Sequence, residues 1–415
     1  MPKLKLFFLC ILYMNCLLPV SVVKTFADDW SFSPSATLTQ TYDSNFRFVS
    51  TPTPGTTKGD AITSFNPVVS VTGQTEQTTF QFDTTTSGQA YLENPKYDTV
   101  TTNTTASLTE NWSPIFSSSV NFGLVHDYTL ENSLLASGII TPYQEHYLFN
   151  FGLGGQYALN ESWNLIASGQ YAKNIYPGSP PSEALPGSDV YQGTLTPAWT
   201  INARGDNIGL SNNFAYSAYA NETTIKTITE TLFFQKFLTE SLNVKLSCGY
   251  YFAMLDFLAP AREFVIFPLP PHFVIVNLPE TGTNGGFVFG VDLKKDWSEK
   301  LSTTFSAGNQ QYNDVDARSF DSTFINGSAA YKLSELTTFN FGARYNTNAQ
   351  ISQGNLTIDY YTVTASIEKN LTERLLVRLT GEYDYETQSS PSLNLDRYRT
   401  WIDLTYKWPR FLSSH

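Results

Sequence analysis

The chain is poor in charge, cysteine and histidine, and beyond its first 27 residues it has no long apolar run. Charged residues make up 15%, against about a quarter in ordinary soluble domains. Of the cysteines, Cys10 and Cys16 fall in the first 27 residues, which leaves Cys248 alone. A single cysteine excludes an internal disulfide and a cysteine-rich metal site. The histidines His126, His146, His272 and His415 form no HExxH-type zinc motif. After the first 27 residues no stretch of about 18 consecutive apolar residues exists, so no helix of that region is expected to span a bilayer.

The exception, at the start, has the layout of a secretory signal. Lys3 and Lys5 precede an apolar run from Leu6 to Val23, and Thr25-Phe26-Ala27 supplies small residues for cleavage. Residues 1–27 are therefore expected to be a cleaved signal peptide and 28–415 the mature domain. An uncleaved transmembrane helix over Leu4–Val23 fits less well, because Asp28 and Asp29 follow at once. Of 25 basic and 37 acidic side chains, cleavage removes three lysines and no acid, leaving a formal charge of −15. So acidic a chain argues against nucleic acid as a partner.

What the chain does have is aromatics, with 24 Tyr and 30 Phe, spread over alternate positions. From Arg397 to Trp408 one face reads Tyr398, Thr400, Ile402, Leu404, Tyr406, Trp408, and the other Arg397, Arg399, Trp401, Asp403, Thr405, Lys407. Period-two alternation marks β-strands. Leu375–Glu386, Thr338–Asn346 and Phe287–Lys294 repeat it. Only helices and closed barrels satisfy their backbone hydrogen bonds in a bilayer, so with helices excluded a transmembrane antiparallel up-and-down β-barrel is the expected all-β fold. A soluble sandwich also alternates, and the turns separate the two. Tight turns recur at Glu110–Ser113, Asn160–Trp163, Thr239–Leu242, Asp296–Glu299, Leu333–Leu336 and Leu371–Arg374. Longer connections cover Asp43–Asp60, Leu130–Tyr143, Pro177–Asp189, Phe257–Thr283, Asn348–Asn355 and Gln388–Leu393. Short periplasmic turns and long extracellular loops mark outer-membrane barrels.

Alternating segments number about 18, with 16 as the alternative count, and an even number leaves both termini in the periplasm. Trp30, Trp112, Trp163, Trp297 and Trp408 all fall beside the short-turn ends, and tyrosines such as Tyr345 and Tyr385 fall toward the other. Two aromatic girdles at the membrane interfaces are the expected consequence. With the apolar face against lipid, Arg344, Glu368, Arg378, Glu382, Asp384, Arg397, Arg399, Asp403 and Lys407 are expected to face a hydrated lumen, since unpaired charges avoid a dry core.

No convincing catalytic set emerges, and neither a cofactor nor a metal site is expected. His126, with Ser117–Ser119 nearby, and His146 read as strand-end surface residues. Arg204-Gly205-Asp206 sits where a tight hairpin is needed and reads as a turn rather than an adhesion motif. Asp43-Ser44-Asn45, Asp60, Glu93 and Asp98 could gather around a divalent cation, but no contiguous loop offers the six to eight oxygens calcium takes; solvated loop charge is the expectation. In the segment 257–283, two apolar β-rich runs flank Pro268-Leu269-Pro270-Pro271. It is expected to be an extracellular hairpin or an inward-folded constriction.

The start of the mature chain, Trp30-Ser31-Phe32-Ser33-Pro34-Ser35-Ala36-Thr37-Leu38 running into Tyr42-Asp43-Ser44-Asn45, with the repeated turn–strand units after it, resembles the beta-barrel porin 2 family of bacterial outer-membrane proteins. The resemblance implies a porin-like barrel, with relatives beside exopolysaccharide systems, and implies no particular site residues. One departure is the tail Pro409–His415 after Trp408, where such barrels usually end on an aromatic. The leading expectation is passive diffusion of small hydrophilic solutes, in contact with outer-membrane lipid and the outer-membrane assembly machinery. The alternatives are a barrel for polysaccharide export, with Trp401 and Tyr360 stacking on sugar rings, or a non-conducting structural or adhesive barrel plugged by 257–283.

Overall fold

The alternation resolves into antiparallel strands that close on themselves. In the computed structural model, residues 29–414 are described apart from 51–56, 129–143, 178–184, 203, 259–261, 267–271, 277–278, 314–317, 352–355 and 390–391. The expected signal peptide lies outside the described residues. The strands are β1 Asp29–Asp43, β2 Asp60–Gln74, β3 Thr78–Tyr91, β4 Thr99–Ser113, β5 Phe116–Tyr128, β6 Glu145–Ala158 and β7 Trp163–Ile175. Next come β8 Ser188–Thr200, β9 Asn207–Tyr219, β10 Thr224–Thr239, β11 Leu242–Leu258, β12 Arg262–Ile266, β13 His272–Val276 and β14 Pro279–Asp296. The last are β15 Leu301–Asn313, β16 Ser319–Ser334, β17 Thr337–Gln350, β18 Thr357–Asn370, β19 Leu375–Ser389, β20 Ser392–Lys407 and β21 Phe411–Ser414.

Eighteen of these, all but β12, β13 and β21, form a closed meander in which each strand pairs with its neighbours in the chain. β1 closes the ring, pairing with β2 from Asp29↔Gln74 to Asp43↔Asp60 and with β20 from Ser35↔Lys407 to Asp43↔Arg399. The count of 16 is thereby excluded. The tail after Trp408 forms a short strand, β21, that pairs with β1 from Asp29↔Ser414 to Phe32↔Phe411. Pro34 marks the handover. It has no N–H to give, and its carbonyl accepts the Trp408 N–H at 3.1 Å.

Two connections are shorter than the sequence suggests, and the second keeps the expected hairpin. β19 and β20 run to Ser389 and Ser392, facing each other in register, so Gln388–Leu393 is no long loop. β11 and β14 extend well into 257–283, pairing as far as Leu258↔Pro279, and the two apolar runs beyond them pair with each other as β12 and β13. β14 also leaves the wall on its other side. It pairs with β15 only over Phe289–Asp296, while its pairing with β11 runs its full length. Beyond that split the Tyr251 hydroxyl of β11 donates to Asp321 of β16 at 2.5 Å, past two intervening strands.

The two strand faces differ as the sequence pattern requires. On β20, Tyr398 and Ile402 are 55% and 48% exposed while Arg397, on the opposite face, is 1% exposed. Large apolar side chains lie exposed all around the ring, among them Leu153, Leu195, Leu232 and Phe289. Buried apolar groups gather instead at the loop ends: Phe48 with Tyr360 and Leu395, Phe46 with Ile62 and Tyr91, and Tyr219 with Ile225, Tyr251 and Leu255. This inverts the distribution of a water-soluble domain, which does not leave so large a continuous apolar surface uncovered.

Candidate functional site

On β18, β19, β20 and β1 the polar face carries a ladder of opposed charges. Strand pairing sets Glu368 beside Arg378 and Arg378 beside Asp403; it also sets Glu382 beside Arg399 and Asp384 beside Arg397. The side chains follow the register. Arg378 Nε donates to Glu368 Oε2 at 2.9 Å, and Arg399 Nε to Glu382 Oε1 at 2.9 Å. Asp403 accepts from Thr39 Oγ1 of β1 at 2.7 Å. Arg344 of β17 donates from Nε to Asn346 at 3.2 Å. Lys407 ends the strand in an exposed position. Eight of the nine charges read from the sequence thus lie along one continuous belt of the polar face, and Lys407 lies at its tight-turn end.

The deepest cation is Arg397. Its Nη2 lies 2.8 Å from Asp384 Oδ2, its Nε donates to the same oxygen at 2.9 Å, and its Nη1 lies 3.9 Å from Asp43 Oδ2. The Tyr360 hydroxyl donates to Asp384 Oδ1 at 2.6 Å. A buried pair of this kind repays its desolvation only when its remaining oxygens and protons are also satisfied, and here Tyr360 and Asp43 do that.

The cover over Arg397 is the turn after β1. Asn45 ties it down: its amide nitrogen donates to the Val49 and Asp396 carbonyls at 3.1 and 3.0 Å, and its oxygen accepts the Val49 N–H at 3.0 Å. Phe48 sits with φ at 51°, a left-handed conformation costly for a non-glycine residue. Its ring is fully buried, 5.2 Å from the Arg397 guanidinium carbon and 6.5 Å from the Tyr360 ring. Sequence reading missed this element. The sequence reading gave 257–283 as a hairpin or an inward-folded constriction and gave the run Asp43-Ser44-Asn45, followed by Phe46 and Phe48, no packing role.

Several expectations are corrected. Tyr360 is 3% exposed with its hydroxyl on Asp384, so it cannot offer a stacking face to a sugar. Asp60 is a buried staple rather than a solvated charge, Asp98 accepts a backbone N–H while remaining exposed, and Glu93 is exposed as expected. Asp60 accepts the backbone N–H groups of Glu93 and Asn94 at 3.0 and 2.9 Å, and Asp98 accepts that of Tyr91 at 2.8 Å. His146 is buried rather than superficial, with Nδ1 2.8 Å from Asp127 and Nε2 2.9 Å from Asn174 Oδ1. His126 stacks on Tyr147 and meets Glu145 at 2.9 Å. The partners of both imidazoles are carboxylates and an amide, with no serine hydroxyl in the set. Arg204-Gly205-Asp206 forms a turn. Gly205 has φ of 86°, and Asp206 accepts from the Phe237 N–H and the Asn202 amide, each at 2.8 Å. Those two donors, the Phe237 N–H foremost, hold the Asp206 carboxyl below the usual carboxylate range.

The five tryptophans expected in the girdle, of seven in the chain, sit at the tight-turn end. Trp112, Trp163, Trp297 and Trp408 are exposed, and Trp163 stacks on Trp199 at 6.2 Å. Trp112 and Trp297 each donate from the indole N–H at 2.9 Å, to Ser118 and Thr303. Trp30 differs: it is buried over Gly73, where any Cβ would meet its ring at 2.5 Å, and its edge meets Phe80 at 5.9 Å.

No family model matches the chain, and no curated protein matches it either. The resemblance to the beta-barrel porin 2 family therefore gains no support from those comparisons. Among solved structures the barrel is similar to OccK1 (OpdK) of Pseudomonas aeruginosa, at 9% identity over 92% of this chain and 100% of that one, with a TM-score of 0.47. It is also similar to OccK2 (OpdF) of the same organism, at 10% identity over 92% and 99%, TM-score 0.49. A third likeness is the copper transporter OprC, at 10% identity over 88% and 64%, TM-score 0.47. At such identities and scores these likenesses carry no argument about what the chain does.

Proposed function

We propose that the chain is a bacterial outer-membrane β-barrel that works as a porin-like channel for small hydrophilic solutes. The observation that carries this reading is a closed eighteen-strand barrel with an exposed apolar face and an ion-paired polar one. A hydrocarbon bilayer is the environment that covers such a face, and a closed barrel leaves no unpaired sheet edge within it. A ring of about 16–18 strands is too wide for side chains to fill. The polar face, with Arg344, Glu368, Arg378, Glu382, Arg399, Asp403 and Lys407, then borders water, while Asp384 and Arg397 lie covered by the turn after β1. Trp112, Trp163, Trp297 and Trp408 form the periplasmic girdle, with Trp30 packed beneath it. Residues 1–27 direct export, and the outer-membrane assembly machinery inserts the folded wall.

Transport in this reading is size exclusion with an electrostatic bias. Phe48 and its turn narrow the mouth over Arg397, so passage runs beside the arginine–carboxylate belt. Swelling of proteoliposomes in isotonic solutions of uncharged solutes of graded size tests this: rates falling with solute size support a pore, and rates equal to those of empty liposomes refute it.

A further inference from the structure

Away from the arginines the polar face changes character. On β3 to β7 the residues in register with Asp83, Asn121 and Asn150 are Thr105, Ser107, Gly152, Gly123 and Ala172, all small and uncharged, with no lysine or arginine among them. These strands enclose a recess of about 590 Å³ whose lining includes Gln81, Asp83, Asn121, Asn150, Ser168 and Gln170.

The wall of this recess is a checkerboard. Asn121 pairs with Gly152, Gly123 with Asn150 and Ser119 with Gly154; across the next ladder Gly152 pairs with Gln170 and Gly154 with Ser168. Each of these polar side chains therefore faces bare backbone on one neighbouring strand. A Cβ at Gly123 would lie 3.4 Å from Asn150, one at Gly152 3.7 Å from Asn121, and one at Gly154 2.6 Å from the Ser119 hydroxyl. The glycines leave room for the amides to lie along the wall instead of being pushed together. Asp83 is held by its neighbours, accepting from Ser70 at 2.5 Å and Gln81 at 2.6 Å.

We infer that this recess is a transit site for a neutral polyhydroxylated solute, a sugar in chemical class; the inference rests on the channel reading above. A primary amide presents a donor and an acceptor side by side, which matches adjacent hydroxyls of a sugar, one accepting and one donating. Without a cation in the wall, an anion gains nothing there, and the fixed carboxylate Asp83 offers acceptor oxygens. Phe122, the one aromatic bordering the recess, alternates with Asn121 and Gly123 and turns its ring to the other face against Phe149, so no stacking ring meets the solute and binding stays weak, as conduction requires if the solute is to leave.

The mature protein in a planar bilayer tests this with glucose as the probe and glucuronate, the same ring with a carboxylate, as its charged counterpart. Glucose is expected to reduce the ionic current saturably. The double variant Asn121→Ala, Asn150→Ala should raise the half-blocking concentration at least about fivefold, of the order of one lost hydrogen bond. Gly152→Ala, which fills the recess at ordinary contact distance, should act in the same direction. A conducting channel that glucose does not block, blocks no better than glucuronate, or blocks equally in the double variant overturns the inference. Saturation-transfer NMR of glucose on the micellar protein reads the same site without conduction. Signal in the parent and its loss in the double variant support the recess, and equal or absent signals refute it. A silent bilayer with a positive NMR result would sink the channel reading alone.

Discussion

Arg397 and Asp384 face each other on adjacent strands at 2.8 Å, both at most 1% exposed, beneath the ring of Phe48. This pair joins the wall of the barrel to the turn that covers it. A residue of β19 and one of β20 fix each other, Tyr360 of β18 and Asp43 of β1 complete the set, and the loop closes over the top.

Removing one partner should therefore cost far more than a surface ion pair. Asp384→Ala leaves a buried guanidinium without its main acceptor and is expected to destabilise the barrel by about 3–5 kcal/mol. Urea unfolding in detergent micelles reads it. A loss no larger than that of Lys58→Ala, whose pair with Asp396 is partly exposed at 4.0 Å, would contradict the account.

Phe48 is held in a left-handed conformation by its surroundings, so its ring is the part that matters. Phe48→Ala should cost about 3 kcal/mol through the lost packing and raise single-channel conductance by uncovering Arg397. Lower stability with unchanged conductance would place the constriction elsewhere.

The two faces of one strand give a test of inside and outside. Leu195 and Gln192 lie three residues apart on β8, on opposite faces. Leu195→Arg should cost about 2–4 kcal/mol if that face meets the bilayer middle. Gln192→Arg should stay within about 0.5 kcal/mol, as at a hydrated surface. Refolding yield and urea midpoint in lipid vesicles measure both; equal costs would undo the assignment of the faces.

The Asp206 turn gives a pH dependence of known sign. Its carboxyl is held below the usual carboxylate range by the Phe237 N–H and the Asn202 amide. Its stabilising effect is therefore present above the unfolded carboxylate value of about 3.9 and is lost as pH falls through the lowered folded value. Asp206→Asn should flatten the acid limb of the stability profile between those points and leave neutral-pH conductance alone. An unchanged acid limb would remove Asp206 from the account.

Most of the wall was legible because period two is a local property: the alternating runs Thr338–Asn346 and Leu375–Glu386 fall within β17 and β19, and the tight turns at Asn160–Trp163 and Thr239–Leu242 fall where small polar residues interrupt the alternation. Partners across the chain were not legible. Whether Asp60 is solvated or staples Asn94, and whether Tyr360 is open or sits under Phe48, depends on loops that meet only in three dimensions. The pairing of Phe411–Ser414 with β1 was hidden because Pro409 interrupts the alternation and the strand is only four residues long. The charged belt was half legible: its alternation named the residues, and only the register showed that Glu382 meets Arg399 and Asp384 meets Arg397.

The central claim is a hydrated pathway along the polar face, and single-channel recording of the refolded mature protein in a planar bilayer tests it most directly. The account predicts steady conductance, whose ion preference shifts toward cations when Arg378 and Arg399 are replaced by glutamine. A correctly folded barrel that stays silent, both intact and as Phe48→Ala, would contradict it.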